Sequence, residues 1–185
     1  MIKIVPYKLE YAESIHYINE AVSTHPDRSE KEKALCRYLY SDYYLQNSSE
    51  NCFCAIDDEN NEVVGYIIGE PNFSRFNNIM LNEYILVAQE LDHSFKKVLE
   101  DEMIPYQKWN EEYEAHIHMD VKPGYQNQGV GSLLIEYIQK HIKEKGRNGI
   151  MLLCSKKNER ANYFYQKHGF DIVDEYDCYV RAKKL

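Results

Sequence analysis

Apolar positions recur along the chain at two spacings. Alternating or continuous apolar runs predict strands at 2–5 (IKIV), 52–57 (CFCAID), 62–70 (EVVGYIIGE), 114–121 (EAHIHMDV) and 149–155 (GIMLLCS). The polar DENN between the second and third makes them a hairpin. The fifth is wholly apolar, as in a sheet covered on both faces. FDIVDEY and CYVRAKK close the pattern as two final strands. Helical spacing is just as clear. Tyr11, Ile15, Ile18 and Val22 predict a helix over 8–23, and Ala34, Leu35, Tyr38 and Leu39 a second over 30–45. Tyr84, Ala88, Leu91, Phe95 and Val98 predict one over 78–102. Val130, Leu133, Leu134, Tyr137, Ile138 and Ile142 give a strongly amphipathic helix at 130–145. A last helix at 158–168 ends at Gly169, a C-terminal stop signal. THPDRS at 24–29 reads as a loop and NSSEN at 47–51 as a turn.

Strand and helix alternate in the second half, which predicts an α/β sandwich around a mixed sheet. No linker or repeat divides the chain, so residues 1–185 are expected to be one domain. A helical insert at about 72–110 is longer than a hairpin-to-strand connection needs. It is expected to lid a cleft or to form a homodimer contact.

Charge narrows the function. Lys plus Arg number 22 against 30 Asp plus Glu, a net charge of −8. Such a chain is a poor nucleic-acid binder, which needs a basic surface. No apolar run approaches the ~18 residues of a membrane span, and the N-terminus lacks a signal peptide's apolar stretch. A cytoplasmic location is expected. The five cysteines are odd in number and follow no disulfide framework. Cys52 and Cys54 share a strand face, but read as packed thiols rather than metal ligands, and no metal is implied. Tyrosine is abundant, at 17 residues, which suits a cleft lined by amphipathic rings.

The segment VKPGYQNQGVGS at 121–132 carries the chemistry. It joins a strand to a helix. Gly129 and Gly131 flank Val130 where the helix starts, so the backbone can approach a ligand closely. The first helical turn offers free N–H groups and a partial positive charge, a phosphate site. Gln126, Asn127 and Gln128 add side-chain donors beside the loop. No GxxxxGK[ST] and no GxGxxG occurs.

Gln126-x-x-Gly129-x-Gly131, following Val121-x-Pro123, resembles the acyl-CoA pyrophosphate loop of the GNAT N-acetyltransferase superfamily. Asn158-x-x-Ala161-x-x-Phe164-Tyr165-x-Lys167-x-Gly169-Phe170 resembles that family's later helix and turn. The phrase AHIHMDVKPGYQ also looks like a bacterial subgroup related to the acetyltransferase-like domain of O-GlcNAc hydrolases. The resemblance implies a mostly antiparallel mixed sheet with helices on both faces and a splayed strand pair that admits the cofactor. It implies acetyl-CoA as cosubstrate, with the amides of Gln128, Gly129, Val130, Gly131 and Ser132 on the pyrophosphate. The backbone of Met119, Asp120 and Val121 would pair with the pantetheine arm, Asn158 would hydrogen-bond nearby, and Tyr165 would face the CoA sulfur.

The implied reaction is direct attack of a primary amine on the thioester in a ternary complex. It needs a base for the amine proton, a donor for the oxyanion and an acid near the leaving thiol. His116 and His118 share one strand face and titrate near neutrality when unperturbed. They resemble a histidine pair found in one branch of the family, displaced by one residue relative to the loop. Asp120 and Glu114 lie on the same face, while Ala115 stands where other members place a glutamate. The acceptor wall is expected from residues 20–45, with Tyr38, Tyr40, Tyr43, Tyr44, Asp27, Glu30, Glu32 and Asp42. The rival reading is a non-catalytic acyl-CoA-binding module, which needs the glycine loop but no base.

Overall fold

The structure, a computed structural model, describes residues 1–23 and 27–185. The loop expected at 24–29 falls partly on 24–26, outside the described residues. Among the described residues the strands are β1 (Ile2–Pro6), β2 (Cys52–Asp57), β3 (Glu62–Glu70), β4 (Ala115–Val121), β5 (Gly149–Ser155), β6 (Asp171–Glu175) and β7 (Cys178–Lys184). They form one sheet in the order β1-β2-β3-β4-β5-β7-β6. Neighbours are antiparallel except the parallel pair β4 and β5.

That parallel pair is short. Ala115 lies opposite Ile150 and His116 opposite Met151, and beyond them the strands part. The splayed pair implied by the resemblance is therefore present. It leaves the C-terminal halves of β4 and β5 unpaired with each other.

Helices cover both faces. On one side lie α1 (Ala12–Ala21), α2 (Glu30–Arg37), α3 (Tyr43–Asn47), α4 (Phe73–Ile79), α5 (Ile85–Leu91) and α6 (His93–Trp109). Their core gathers Ile15, Ile18, Tyr43, Tyr44 and Leu99 against Tyr66 and Ile68 of β3. On the other side lie α7 (Val130–Glu144) and α8 (Glu159–Lys167), where Leu134, Ile138 and Tyr165 pack on Phe53, Ile67 and Ile117. Strand alternation sends Tyr66 and Ile68 to one layer and Ile67 to the other.

Local chemistry sets the helix starts. Ser29 and Glu32 form a reciprocal capping box at α2. The first helix begins at Ala12 rather than residue 8, after a short 3-10 turn at Leu9–Tyr11. The helix expected over 78–102 is instead two, broken at Asp92. That residue is extended (φ −163°, ψ 132°), and its side chain accepts from Ser94 N–H at 2.9 Å, capping α6. The insert thus folds as α4, α5 and α6 between β3 and β4.

Cys52 and Cys54 are fully buried in β2. Burial pushes the Cys54 thiol up to about 12, so it packs as an apolar group.

Candidate active site

The loop from β4 to α7 is built to leave amides free. Gly124 (φ +93°), Asn127 (φ +63°) and Gly129 (φ +84°) are left-handed. Gly129 is the N-cap of α7 and has no side chain to satisfy the first turn. The first helical bond is Leu133 N–H to Gly129 O, so the amides of Val130, Gly131 and Ser132 have no partner within the helix. Nothing lies within 4 Å of where a Cβ on Gly129 would stand, so space above the turn is open. A Cβ on Gly131 would come 3.2 Å from the Phe164 ring, which sets how closely α7 approaches α8.

The polar side chains of the loop brace it, and Gln126 and Asn127 also border the space above the turn. Gln126 Nε2 donates to Val121 O at 2.9 Å, and its Oε1 accepts from Arg160. Gln128 Nε2 donates to Gly124 O at 2.5 Å and does not line the cavity. The Val130 side chain is buried in the core, leaving only its amide. The Ser132 hydroxyl lies 3.1 Å from His168 Nε2, and His168 Nδ1 is 2.9 Å from Phe164 O. A carbonyl can only accept, so Nδ1 carries a proton, and in the neutral ring Ser132 donates to Nε2. Gln126 and Asn127 border the cavity beside the turn, and the amide groups of Gln126 and Gln128 also hold the loop's shape.

Alternation along β4 assigns the gap-facing backbone. Lys122 N–H donates to Val64 O, and Tyr66 lies opposite Asp120, which makes 116, 118 and 120 the residues bonded to β3. Ile117, Met119 and Val121 therefore point their peptide groups towards the gap. Of the expected trio, the backbone of Asp120 is engaged with β3, and Val121 O is taken by Gln126. Met119 retains both groups for an added strand.

Two cavities meet at this gap. One, of about 400 Å³, is lined by the glycine turn, Met119, Asn158, Arg160, Tyr165 and Lys167. The other, of about 430 Å³, is lined by Asn19, Tyr40, Glu102, His118, Asp120 and Tyr165, among others. Asp120, Met119, Asn158 and Tyr165 border both. Asn158 caps α8 by accepting from Ala161 N–H at 3.1 Å on Oδ1, which leaves its Nδ2 outside the cap. Burial holds the Tyr165 phenol protonated, well above its ordinary range. Arg160 and Lys167 add positive charge beside the turn, and neither was singled out from sequence as a site residue. Arg160 stands two residues after Asn158 and Lys167 is a named position of the same motif, which is the signal that could have found them.

The histidines separate sharply. His116 is 1% exposed and wedged among Tyr44, Phe76 and Tyr106, with Nε2 unpartnered, and it lines neither of the two cavities at the gap. Burial pushes its pKa well below the ordinary value. A catalytic role for His116 is corrected on that geometry. His118 borders the second cavity between Tyr40 and Tyr44. Burial lowers it to about 4, so it is neutral at physiological pH. Asp120 is raised by burial to about 6, against hydrogen bonds from Tyr66 and Asn19 that act to lower it.

The acceptor wall also differs from expectation. Of its tyrosines only Tyr40 lines the cavity. Tyr43 and Tyr44 are fully buried, and Tyr38 packs edge-on against Tyr84. Asp42 bonds His16 at 2.8 Å, Glu30 pairs with Lys33, and Glu32 belongs to the capping box. The carboxylates at the cavity are Glu102 from α6, Asp120, and Asp177 between β6 and β7.

An uncapped helix start, open space above Gly129 and a strand with unpaired peptide groups fit an extended, phosphate-bearing ligand such as acetyl-CoA. Comparison with known proteins agrees. Residues 15–170 match the model described as "Acetyltransferase (GNAT) family", and the chain belongs to that family. The fold is shared with solved structures. SsHAT superposes at a TM-score of 0.86 with 19% identity, covering 99% of this chain and 98% of that one. The PaiA N-acetyltransferase from Thermoplasma acidophilum, solved with coenzyme A, gives 0.66 at 17% identity, over 100% and 99%. The Drosophila melanogaster polyamine N-acetyltransferase, described as forming N-acetylagmatine, gives 0.70 at 13%, over 100% and 99%.

Proposed function

We propose that the protein transfers an acetyl group from acetyl-CoA to a small primary amine, by direct attack in a ternary complex. The observation that carries this is the meeting of the two cavities at the β4–β5 gap, with Tyr165 bordering both. Acetyl-CoA supplies the activated acyl group, and the amine displaces the thiol. The amides of Val130, Gly131 and Ser132 hold the pyrophosphate, assisted by Arg160 and Lys167. Met119 pairs with the pantetheine arm as one strand pairs with another. A β4 amide facing the gap is placed to stabilise the oxyanion. Tyr165 keeps its proton and donates a hydrogen bond to the leaving sulfur. An ordinary thiol has a pKa of ~8.5, below that of this buried phenol, so stabilisation rather than full proton transfer is its role.

Glu102, Asp120 and Asp177 outnumber the one cation, Arg28, in the lining of the second cavity, and with Tyr40 they suit a cationic amine. Similarity in fold to polyamine and agmatine acetyltransferases supports the same class. The whole chain acts as one catalytic unit, with the 72–110 helices forming part of its acceptor-side wall through Glu102. Five free cysteines suit a reducing, cytoplasmic setting. No helix of the described residues is long and apolar enough to cross a membrane.

The test is acetyl-CoA turnover against a panel of mono-, di- and polyamines, read as released thiol, with intact-protein mass after acetyl-CoA alone. Amine-dependent thiol release with unmodified protein is expected. Accumulation of acetylated protein would contradict direct transfer. Binding without turnover on any amine would favour the acyl-CoA-binding module.

A further inference from the structure

Asp120 sits on β4 where the two cavities join, and its carboxylate is held from one side only. Tyr66 donates to Oδ2 at 2.5 Å. Asn19 Nδ2 donates to the same oxygen at 3.2 Å and to Tyr66 Oη at 3.1 Å. These three residues come from α1, β3 and β4, so the carboxylate is fixed in orientation by a closed triangle. Oδ1 carries no hydrogen bond among the described residues. A carboxylate with two donors on one oxygen and none on the other, at a cavity wall, has an open acceptor aimed at whatever enters.

We infer that Asp120 Oδ1 is the general base of the transfer, and that Tyr66 and Asn19 are its positioning residues. This rests on the acetyltransferase reading and deepens it by replacing the histidines in that role. In the step, Oδ1 takes one proton from the substrate ammonium. The freed lone pair forms the C–N bond as the C–S bond breaks. The sulfur leaves with that electron pair and takes the second proton lost by nitrogen, and the carboxylic proton passes to solvent. Tyr165 lies across the gap as the sulfur's donor. The groups beside Asp120 are Tyr66 from β3, Asn19 from α1 and Tyr165 from α8, with His118 two residues away on the same strand face, and Arg28, Glu102 and Asp177 share its cavity. Among the described residues no lysine or arginine is paired with it.

The position of the acid limb separates the candidates. A base at Asp120 places it near the value of about 6 held by that carboxyl, whereas His118 would place it near 4. The experiment compares wild type, Asp120→Asn, His118→Gln and Tyr66→Phe. It measures kcat/KM with a diamine from pH 5 to 9 and acetyl-CoA binding by thermal shift. Asp120→Asn is expected to bind acetyl-CoA as wild type does, yet lose roughly 100-fold in kcat/KM. Its remaining rate should track the free amine, rising about tenfold per pH unit below the amine's pKa of ~10. Tyr66→Phe, which removes a donor to the charged form, should move the acid limb to higher pH. His118→Gln should leave the limb in place. An active wild type whose Asp120→Asn variant keeps both rate and limb overturns the role of Asp120 alone. A wild type that does not bind acetyl-CoA overturns the acetyltransferase reading as well.

Discussion

Tyr43 Oη donates to Glu70 Oε2 across 2.7 Å at the end of β3. Glu70 is fully buried, and Arg75 of α4 donates to the same oxygen from Nη2 at 2.7 Å and Nε at 3.1 Å. Asn72 N–H satisfies the other oxygen at 2.8 Å. This cluster fixes where the insert leaves the sheet, and the insert brings Glu102 to the acceptor cavity. Glu70 is fully buried whereas Arg75 is 37% exposed, so removing Arg75 strands a buried carboxylate that solvent reaches only in part. Arg75→Ala is therefore expected to destabilise the fold by about 2 kcal/mol. Urea denaturation at pH 7 checks it, and a change within 0.5 kcal/mol, about the size of an ordinary surface substitution, would deny the cluster its anchoring role.

Tyr165→Phe removes a hydroxyl at the junction of the two cavities while keeping the ring packed against Phe164 and Phe170. Turnover should fall roughly tenfold to hundredfold, with acetyl-CoA affinity nearly unchanged. Steady-state kinetics beside a binding titration check this. An unchanged kcat would remove Tyr165 from the mechanism.

Three buried groups beside the cavities and the insert, His116, His118 and Asp120, contribute to acid stability. Unfolded histidine titrates near ~6.5, whereas folded His118 is held at about 4 and His116 well below its ordinary value. Their stabilisation is complete above the unfolded value and is lost as pH falls, because the unfolded chain then binds protons the fold refuses. Asp120 acts oppositely. Its folded carboxyl, raised to about 6, binds a proton before the unfolded one does, so its contribution grows as pH falls and disappears as pH rises through 6. The histidines lower stability between pH 7 and pH 5, and Asp120 offsets part of that loss. Asp120→Asn should deepen the loss by about 1 kcal/mol. Chemical denaturation at the two pH values measures both, and a variant less acid-sensitive than wild type would contradict the raised carboxyl.

Much of this was legible in the chain. The glycine turn, the amphipathic helix after it and the Asn158–Phe170 motif each stand where the sequence pattern puts them, because each rests on short-range chemistry. The break at Asp92 was hidden because the apolar stripe Tyr84, Ala88, Leu91, Phe95 and Val98 runs through it. The sign was Asp92 followed by Ser94, a capping pair. The tyrosines misled for another reason. A π-helical turn at Tyr38–Asp42 shifts the helical phase, which turns Tyr43 and Tyr44 into the core and leaves Tyr40 at the cavity. His116, His118 and Asp120 share one strand face in the sequence. Only tertiary packing separates them, since the insert covers the start of β4 and the splay opens its end.

The most direct test of the account is a thermal-shift titration with acetyl-CoA on wild type and Gly129→Glu. A ligand at 100 times its Kd adds about 2.7 kcal/mol to a native state that alone binds it. Wild type should show that rise. Gly129→Glu places a negative side chain in the open space above the α7 start, and a Cβ where φ is +84°, so its rise should vanish while the protein remains folded. An equal rise in both proteins would show that acetyl-CoA does not bind at this turn, and no rise in wild type at millimolar acetyl-CoA would contradict the account at its base.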